Sequence, residues 1–384
     1  MDIKSTLANY EGFKEKQLKD RFFKHQSIID LLNALPADFE VTELGTSVLH
    51  KSINLVKWGN GPTKIMLWSQ MHGDEATGTM ALFDMFNLLQ QGGPLVELIQ
   101  SRCQLFIIPM VNPDGASAFT RRNAQQIDIN RDYLQLATPE AKILKKCRDE
   151  INPEFGFNLH DQLTLWSVSD SLKPATLSFL APSFDRSLNI NSTRKKAMLV
   201  IADMFCEVDE YLPQQIGLFK DEYEPRAFGD NFQAAGTSTI LIEAGGYAAD
   251  FEKQEIRKFY FGAMLAGLIS ISTENYRQQQ VENYLNIPKN NKEIFHILVH
   301  QVTLDGINVS IGINYDEYPA KDGQSTFKVY TIQDIGDLSF CDAYQHYDAS
   351  SAQLEGDITL FKNADFKISV NHNIILSFQN GKML

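Results

Sequence analysis

The sequence predicts an α/β fold with a mostly parallel, mixed central sheet flanked by helices, followed by a smaller C-terminal β-rich domain. Three observations predict it. Short, nearly continuous apolar runs recur, as expected of strands covered on both faces. Segments of helical periodicity lie between those runs, in the alternation that marks βαβ units. Beyond about residue 290 the texture changes to β-branched residues and turns.

In chain order, residues 1–35 place Phe13, Leu18, Phe22, Phe23, Ile28, Ile29, Leu31 and Leu32 near helical spacing, so this segment is expected to be helical. Residues 48–56 alternate weakly, and Lys57 to Pro62 carries the Gly-Asn-Gly-Pro chemistry of a turn. Residues 64–69 (KIMLWS) form a buried-strand run, 76–89 a helix, and 105–109 the next strand. The same logic gives helices at 139–151, 194–208 and 251–271, and strands at 155–159 and 239–243. A polar stretch at 277–293 then leads to strand-like runs at 299–304, 308–313, 327–332 and 374–378. The expected organisation is an N-terminal helical segment (1–38) packed on a catalytic domain (39–276), then a β-rich domain (290–384). For 384 residues, two domains match a prior of about 100–200 residues each.

Composition narrows the function classes. Hydrophobic residues make up 43% of the chain and charged residues 22%, the balance of a globular protein with ample core. The formal charge is −13, from 35 basic against 48 acidic side chains, which opposes a phosphate backbone and argues against nucleic acid. Four scattered cysteines form no CxxC pair, and Cys103, Cys147 and Cys206 sit in patterns that suggest buried thiols. The first twenty residues show no signal-peptide apolar region, and no apolar stretch of about 18 residues occurs. A cytoplasmic location with no membrane contact is the expectation; oligomeric state is left open.

The chemistry gathers at strand ends, where ligands collect in open α/β sheets. Ser69-Gln70-Met71-His72-Gly73-Asp74-Glu75 follows a strand and precedes a helix. A His and a Glu three residues apart, with Gly in the turn, can aim at one metal. The same pattern also describes a turn-flanking His and a helix-start Glu stabilised by the helix dipole. Phe157-Asn158-Leu159-His160 ends another apolar run. Two His and one carboxylate at strand ends make a hydrolytic zinc set, with a position left for water. His296 and His300 are four apart, but on a strand that separates them by about 13 Å, so they are expected to be structural.

Further pieces follow in order: Asn112-Pro113-Asp114-Gly115, Arg121-Arg122-Asn123-Ala124, Asp128-Ile129-Asn130-Arg131-Asp132 and Ile242-Glu243-Ala244-Gly245. With the two histidine stretches, they resemble the zinc metallocarboxypeptidase family, a superfamily that also holds the succinylglutamate desuccinylase/aspartoacylase branch. The resemblance spans roughly residues 40–270 and omits the N-terminal segment and the β-rich tail. It implies one zinc per chain held by His72, Glu75 and His160, with Glu243 as general base and acid. It further implies that Arg121 polarises the scissile carbonyl and that Asn130 and Arg131 bind a substrate carboxylate. Asp128 would support a ligand histidine from behind. Tyr223 lies near the place of a substrate-capping tyrosine, although no motif fixes it there.

The reaction so implied is hydrolysis of an amide bond, with a metallocarboxypeptidase removing C-terminal residues from peptides as the leading form. A deacylase or amidase of small N-acyl amino acids or cell-wall peptides would use the same zinc core, and the β-rich tail resembles that of the acylase branch. A non-catalytic binding module is the remaining alternative, opposed by the complete set of positions. The substrate in either enzymatic case carries a free carboxylate. The chain departs from the secreted digestive members at Asp161-Gln162, where those have a serine-tyrosine pair. Phe228 and Asp230 are candidates for setting side-chain preference, and they point in opposite directions.

Overall fold

The computed structural model describes residues 3–169 and 171–384. Two compact units partition the chain: Met1–Thr164 with Ala175–Asn290, and Leu165–Pro174 with Asn291–Leu384.

The first unit is built on an eight-stranded sheet. Its strands are β1 (Glu40–Thr46), β2 (Ser52–Trp58), β3 (Thr63–Ser69), β4 (Cys103–Ile108), β5 (Phe155–Asp161), β6 (Leu177–Leu180), β7 (Ile216–Leu218) and β8 (Ser238–Ala244). The order is β1-β2-β4-β3-β5-β8-β6-β7. Strands β4, β3, β5 and β8 run parallel at the centre, while β2 and β6 join them antiparallel. The central strands are buried almost throughout, which is why they read as unbroken apolar runs. Strands β6 and β7 are too short, at four and three residues, to give a periodic signal, and the sequence reading passed over them.

Helices cover both faces: α1 (Ile3–Ala8), α2 (His25–Asn33), α3 (Thr77–Gln90), α4 (Pro94–Arg102), α5 (Pro113–Ala118), α6 (Pro139–Ile151), α7 (Ser192–Val208), α8 (Phe228–Ala234), α9 (Gln254–Thr273) and α10 (Val281–Leu285). Several start where their sequences say they should. Thr138 caps α6 by accepting from Ala141 N, with Pro139 at the first helical position, and Asn191 caps α7 by accepting from Arg194 N. The 20-residue α9 is buried over most of its surface, consistent with its low polarity.

The N-terminal segment is less helical than its periodicity suggested. Only Ile3–Ala8 and His25–Asn33 are α-helical, with a 3-10 turn at Tyr10–Gly12. The stretch between is held instead by Arg257 of α9, which donates to the carbonyls of Glu15 and Leu18 and forms a fully buried ion pair with Asp84. Tyr10 adds its hydroxyl to the same Asp84 carboxylate at 2.7 Å. Leu7, Tyr10, Phe13 and Leu18 therefore belong to the main hydrophobic core of this unit, with α3 and α9. Among the cysteines, Cys103 and Cys147 are buried, but Cys206 is exposed, because it falls on the outer face of α7 between buried Met204 and Val208.

The second unit is β-rich. One sheet orders β9 (Ile294–Leu304), β10 (Ile307–Pro319), β11 (Thr326–Gly336) and β12 (Asp342–Asp348) as β11-β10-β9-β12. Another joins β13 (Gln353–Asp357), β14 (Asp365–Val370), β15 (Asn373–Gln379) and β16 (Lys382–Met383). Ile297, Val299, Ile311, Ile313, Ile332, Phe366, Ile368 and Phe378 form its core. His296 stacks on Tyr315 with ring centroids 3.7 Å apart, and its Nδ1 accepts the Tyr315 N–H. His300 instead faces His346, 2.9 Å away between ring nitrogens. Among the described residues no helix is long and apolar enough to cross a membrane.

Candidate metal centre and active site

His72 and Glu75 lie just beyond the end of β3, and His160 and Glu243 lie near the ends of β5 and β8, all central strands of the first unit. After β3 the chain turns through Gln70, whose φ of +52° reverses its direction into the His72–Glu75 stretch. Gly73 is required here by close approach: a Cβ on it would stand 2.0 Å from the Gly115 carbonyl carbon. Gly115 belongs to the Asn112-Pro113-Asp114-Gly115 stretch, which packs this turn from the other side. Asn112 accepts from Gly115 N and donates to the Met71 and Arg121 carbonyls, so it staples three loops together.

His72, Glu75 and His160 are all buried, and one ligand atom from each lies within 4.8 Å of the others. Both histidines turn Nδ1 to the Glu75 carboxylate, His72 to Oε1 and His160 to Oε2, each at 2.7 Å. On its far side His72 Nε2 lies 3.1 Å from Asp128 Oδ1. A carboxylate behind a ligand imidazole fixes the tautomer and orientation of the ring. Arg121 spans the same groups: Nη1 lies 3.1 Å from Glu75 Oε1, and Nη2 lies 3.0 Å from Asp128 Oδ2. Two imidazoles and one carboxylate, converging through three near atoms, have the donor chemistry of a zinc site.

Glu243 stands beside this cluster. It ends the apolar core of β8 and sits directly opposite His160 in the parallel β5–β8 register. Its carboxylate is buried, and Oε2 has no hydrogen-bond partner among the described residues. Burial, then the negative charges of Glu75 and Asp161, push its pKa well above the ordinary carboxylate value. Glu75 goes the other way: burial opposes its charge, but His72 and His160 hold it well below the usual range. Asp128 is also lowered, because its bond to His72 and the charges of His72 and Arg121 outweigh burial. Two carboxylates in one site with pKa values driven apart are suited to different tasks.

Comparison with known proteins bears on the fold and the family resemblance. The zinc carboxypeptidase family model matches residues 25–197. The fold of the solved metallo-carboxypeptidase from Burkholderia cenocepacia aligns with 66% of this chain and 70% of its own, at a TM-score of 0.53 and 16% identity. Residues 25–197 thus resemble the zinc carboxypeptidase family, and the larger unit shares the carboxypeptidase fold.

Among curated relatives, carboxypeptidase SOL1 of Arabidopsis thaliana is 32% identical over 103 residues, 23% of this chain and 21% of that protein. Carboxypeptidase 2 of Trichophyton rubrum is 26% identical over 100 residues, 26% of this chain and 19% of that protein. The chain thus spans about a fifth of the length of these relatives. Bovine thrombin-activatable fibrinolysis inhibitor, solved with a tick carboxypeptidase inhibitor, shares the fold at a TM-score of 0.52 and 12% identity, over 67% of this chain and 98% of its own.

The remaining sequence-derived positions in this unit separate into two groups. Arg121 and Asp128 reach the metal cluster directly. Asn130 and Arg131 lie on a 3-10 turn (Ile129–Arg131) and face the loop before α8. Asn130 Oδ1 accepts the Phe228 N–H at the start of α8, and Arg131 Nε pairs with Glu224 Oε2 at 3.3 Å. Neither Asp128 nor Asp132 takes the Arg131 guanidinium; Asp132 instead accepts from the backbone N–H groups of Ala137 and Thr138. Tyr223 is half-buried in the same loop, one residue before Glu224. Asp230 is buried on α8, accepts from Glu224 N, and is raised to about 7 by burial. Phe228 is also buried, stacked edge-on against Tyr133 and Phe232, a core role.

Two features escaped the sequence reading. Glu224 is one: an Asp-Glu-Tyr-Glu-Pro-Arg loop looks like solvated charge, and only the tertiary fold brings it to Arg131. The other is Lys253, which pairs with Asp161 in a buried setting behind His160. Nothing in the charged stretch at 250–255 distinguishes it from its exposed neighbours.

Proposed function

We propose that this protein is a zinc-dependent hydrolase of amide bonds, acting as a metallocarboxypeptidase that removes C-terminal residues from peptides. The observation that carries the reading is the convergence of His72, Glu75 and His160 within 4.8 Å, with the buried Glu243 carboxylate opposite His160.

His72, Glu75 and His160 would hold one zinc ion, oriented by Asp128 behind His72. Zinc in such a site acidifies water and polarises the substrate carbonyl. Glu243 accepts a proton from the attacking water and delivers it to the leaving amine nitrogen. Burial raises its pKa above the ordinary carboxylate value, which favours the protonated form that must return the proton to the leaving amine. Arg121 is permanently charged and its guanidinium borders the ligand set, so it stabilises the negative charge that develops on the carbonyl oxygen. Arg131, held at Nε by Glu224, binds the free carboxylate of the peptide, and Asn130 fixes the adjoining α8 loop. A metallo-carboxypeptidase from Pseudomonas aeruginosa that shares the fold binds (2-guanidinoethylmercapto)succinic acid, a carboxylate ligand in keeping with this substrate class.

The experiment is a panel of free peptides against the same peptides amidated at the C-terminus. Cleavage confined to free peptides, one terminal residue at a time, supports the exopeptidase reading. Equal rates on both forms would remove the carboxylate clamp and leave an amidase on the same zinc core.

A further inference from the structure

Strands β5 and β8 carry His160 and Glu243, and what fixes their ends relative to each other lies outside the catalytic set. Two side chains at the start of α9 do it. Lys253, the residue preceding the first turn of α9, is held in the left-handed region at φ +52°. That turn sends its side chain inward, where it is 5% exposed. Its Nζ donates to Asp161 Oδ2 at 3.1 Å and to the Ala244 carbonyl at 2.9 Å. Asp161 directly follows His160, and Ala244 directly follows Glu243. Asp161 and Ala244 are also partners in the β5–β8 register.

The second stitch comes from Tyr260, two helical turns further along. Its buried hydroxyl donates to the Ile242 carbonyl at 2.8 Å and lies 3.4 Å from the His160 carbonyl. The strand ends are therefore gripped on both sides of the functional residues. A third element joins through the same aspartate: Thr77 Oγ1, in the first turn of α3, donates to Asp161 Oδ2 at 2.7 Å. The Asp161 backbone N–H meanwhile donates to Glu75 Oε2 at 3.1 Å. Asp161 thus touches the position of both His160 and Glu75.

We infer that the buried Lys253–Asp161 pair is a positioning device that locks His160, Glu75 and Glu243 into one geometry, a part that no catalytic motif requires. A buried ion pair gives little net stability over an apolar replacement, so stability alone does not account for this pair beside the ligands. Groups behind metal ligands influence affinity by orienting the ligands. The inference rests on the zinc-site reading above.

The test uses full-length protein and reads metal binding rather than turnover. Zinc dissociation constants are measured by chelator competition, and the cobalt(II) form supplies an absorption spectrum sensitive to ligand geometry. Lys253→Met should weaken zinc about 10–100-fold and alter the cobalt spectrum, at a temperature where the metal-free variant is folded by circular dichroism. Arg257→Met is the control: it breaks another fully buried ion pair of the same helix, with Asp84, and its other side-chain bonds go to Glu15, Leu18 and Gln254 rather than to a ligand residue. It should lower stability yet leave zinc affinity within about twofold. If Lys253→Met does not fold, Lys253→Gln, which retains a hydrogen-bond donor, is judged by the same criteria. Wild-type affinity and spectrum in the folded Lys253 variant would overturn the inference, as would an equal loss in Arg257→Met. A wild-type chain that binds no zinc would instead refute the function proposed above.

Discussion

His160 and Glu243 are register partners on adjacent parallel strands, one turning its Nδ1 to Glu75 and the other holding a carboxylate oxygen with no hydrogen-bond partner among the described residues. The β5–β8 register sets this pairing, and Lys253 and Tyr260 grip the two strand ends beside it, so neither contact depends on the ligand side chains themselves. Removing a ligand should therefore cost metal without disturbing Glu243. His160→Ala and His72→Ala are each expected to fall well below one zinc per chain after dialysis, measured by elemental analysis, while circular dichroism stays native.

Arg131 pairs with Glu224 through Nε and donates from Nη1 to the Asn130 carbonyl, and in the proposed function its remaining N–H groups take a substrate carboxylate. Charge-assisted hydrogen bonds contribute about 1.5–3 kcal/mol, so Arg131→Ala should lower kcat/KM on free peptides by roughly 10–100-fold. Rates on C-terminally amidated peptides, however small, should change little. Steady-state kinetics on the two series checks this.

Gly73 has no room for a methyl group beside Gly115. The obstacle is backbone on both sides, not the end of a flexible side chain. Gly73→Ala should lose at least about 1–3 kcal/mol, the usual range for overpacking, and shift the turn that carries His72. The midpoint of urea unfolding reports the first effect and zinc affinity the second.

Asp230 supplies a pH dependence. Burial raises its folded pKa to about 7 from an ordinary 3.8, so the folded state keeps a proton that the unfolded state releases between those values. Its contribution to stability is therefore present at low pH and lost as pH rises through that window. Asp230→Asn keeps an acceptor for the Glu224 N–H but cannot ionise. Its melting temperature relative to the wild type should climb from pH 4 to pH 7 and then level off. At about 1.4 kcal/mol per pH unit, the gain is at most roughly 4 kcal/mol.

Much of the fold was legible because the central strands are buried on both faces and the long helices carry clear periodicity. The same logic failed where local pattern was overruled. Residues 13–24 have apolar spacing like a helix, yet the Glu15 and Leu18 carbonyls are taken by Arg257 from far along the chain. Cys206 lies in a helix whose other face is the buried one. At the site, residues within one turn, such as His72 and Glu75, could be read from spacing. Groups that meet only through tertiary packing could not. Glu224 and Lys253 sit in charged stretches that look solvated, and their burial or pairing depends on distant loops and on one left-handed backbone angle.

The central claim is that one buried carboxylate serves a zinc held by His72, Glu75 and His160. Zinc content and turnover of Glu243→Gln, measured on the same preparation, test it most directly. The account predicts close to one zinc per chain with turnover reduced by about 10²–10⁴-fold, the usual contribution of a general acid–base group. Wild-type turnover in Glu243→Gln, or a wild-type chain without bound zinc, would contradict it.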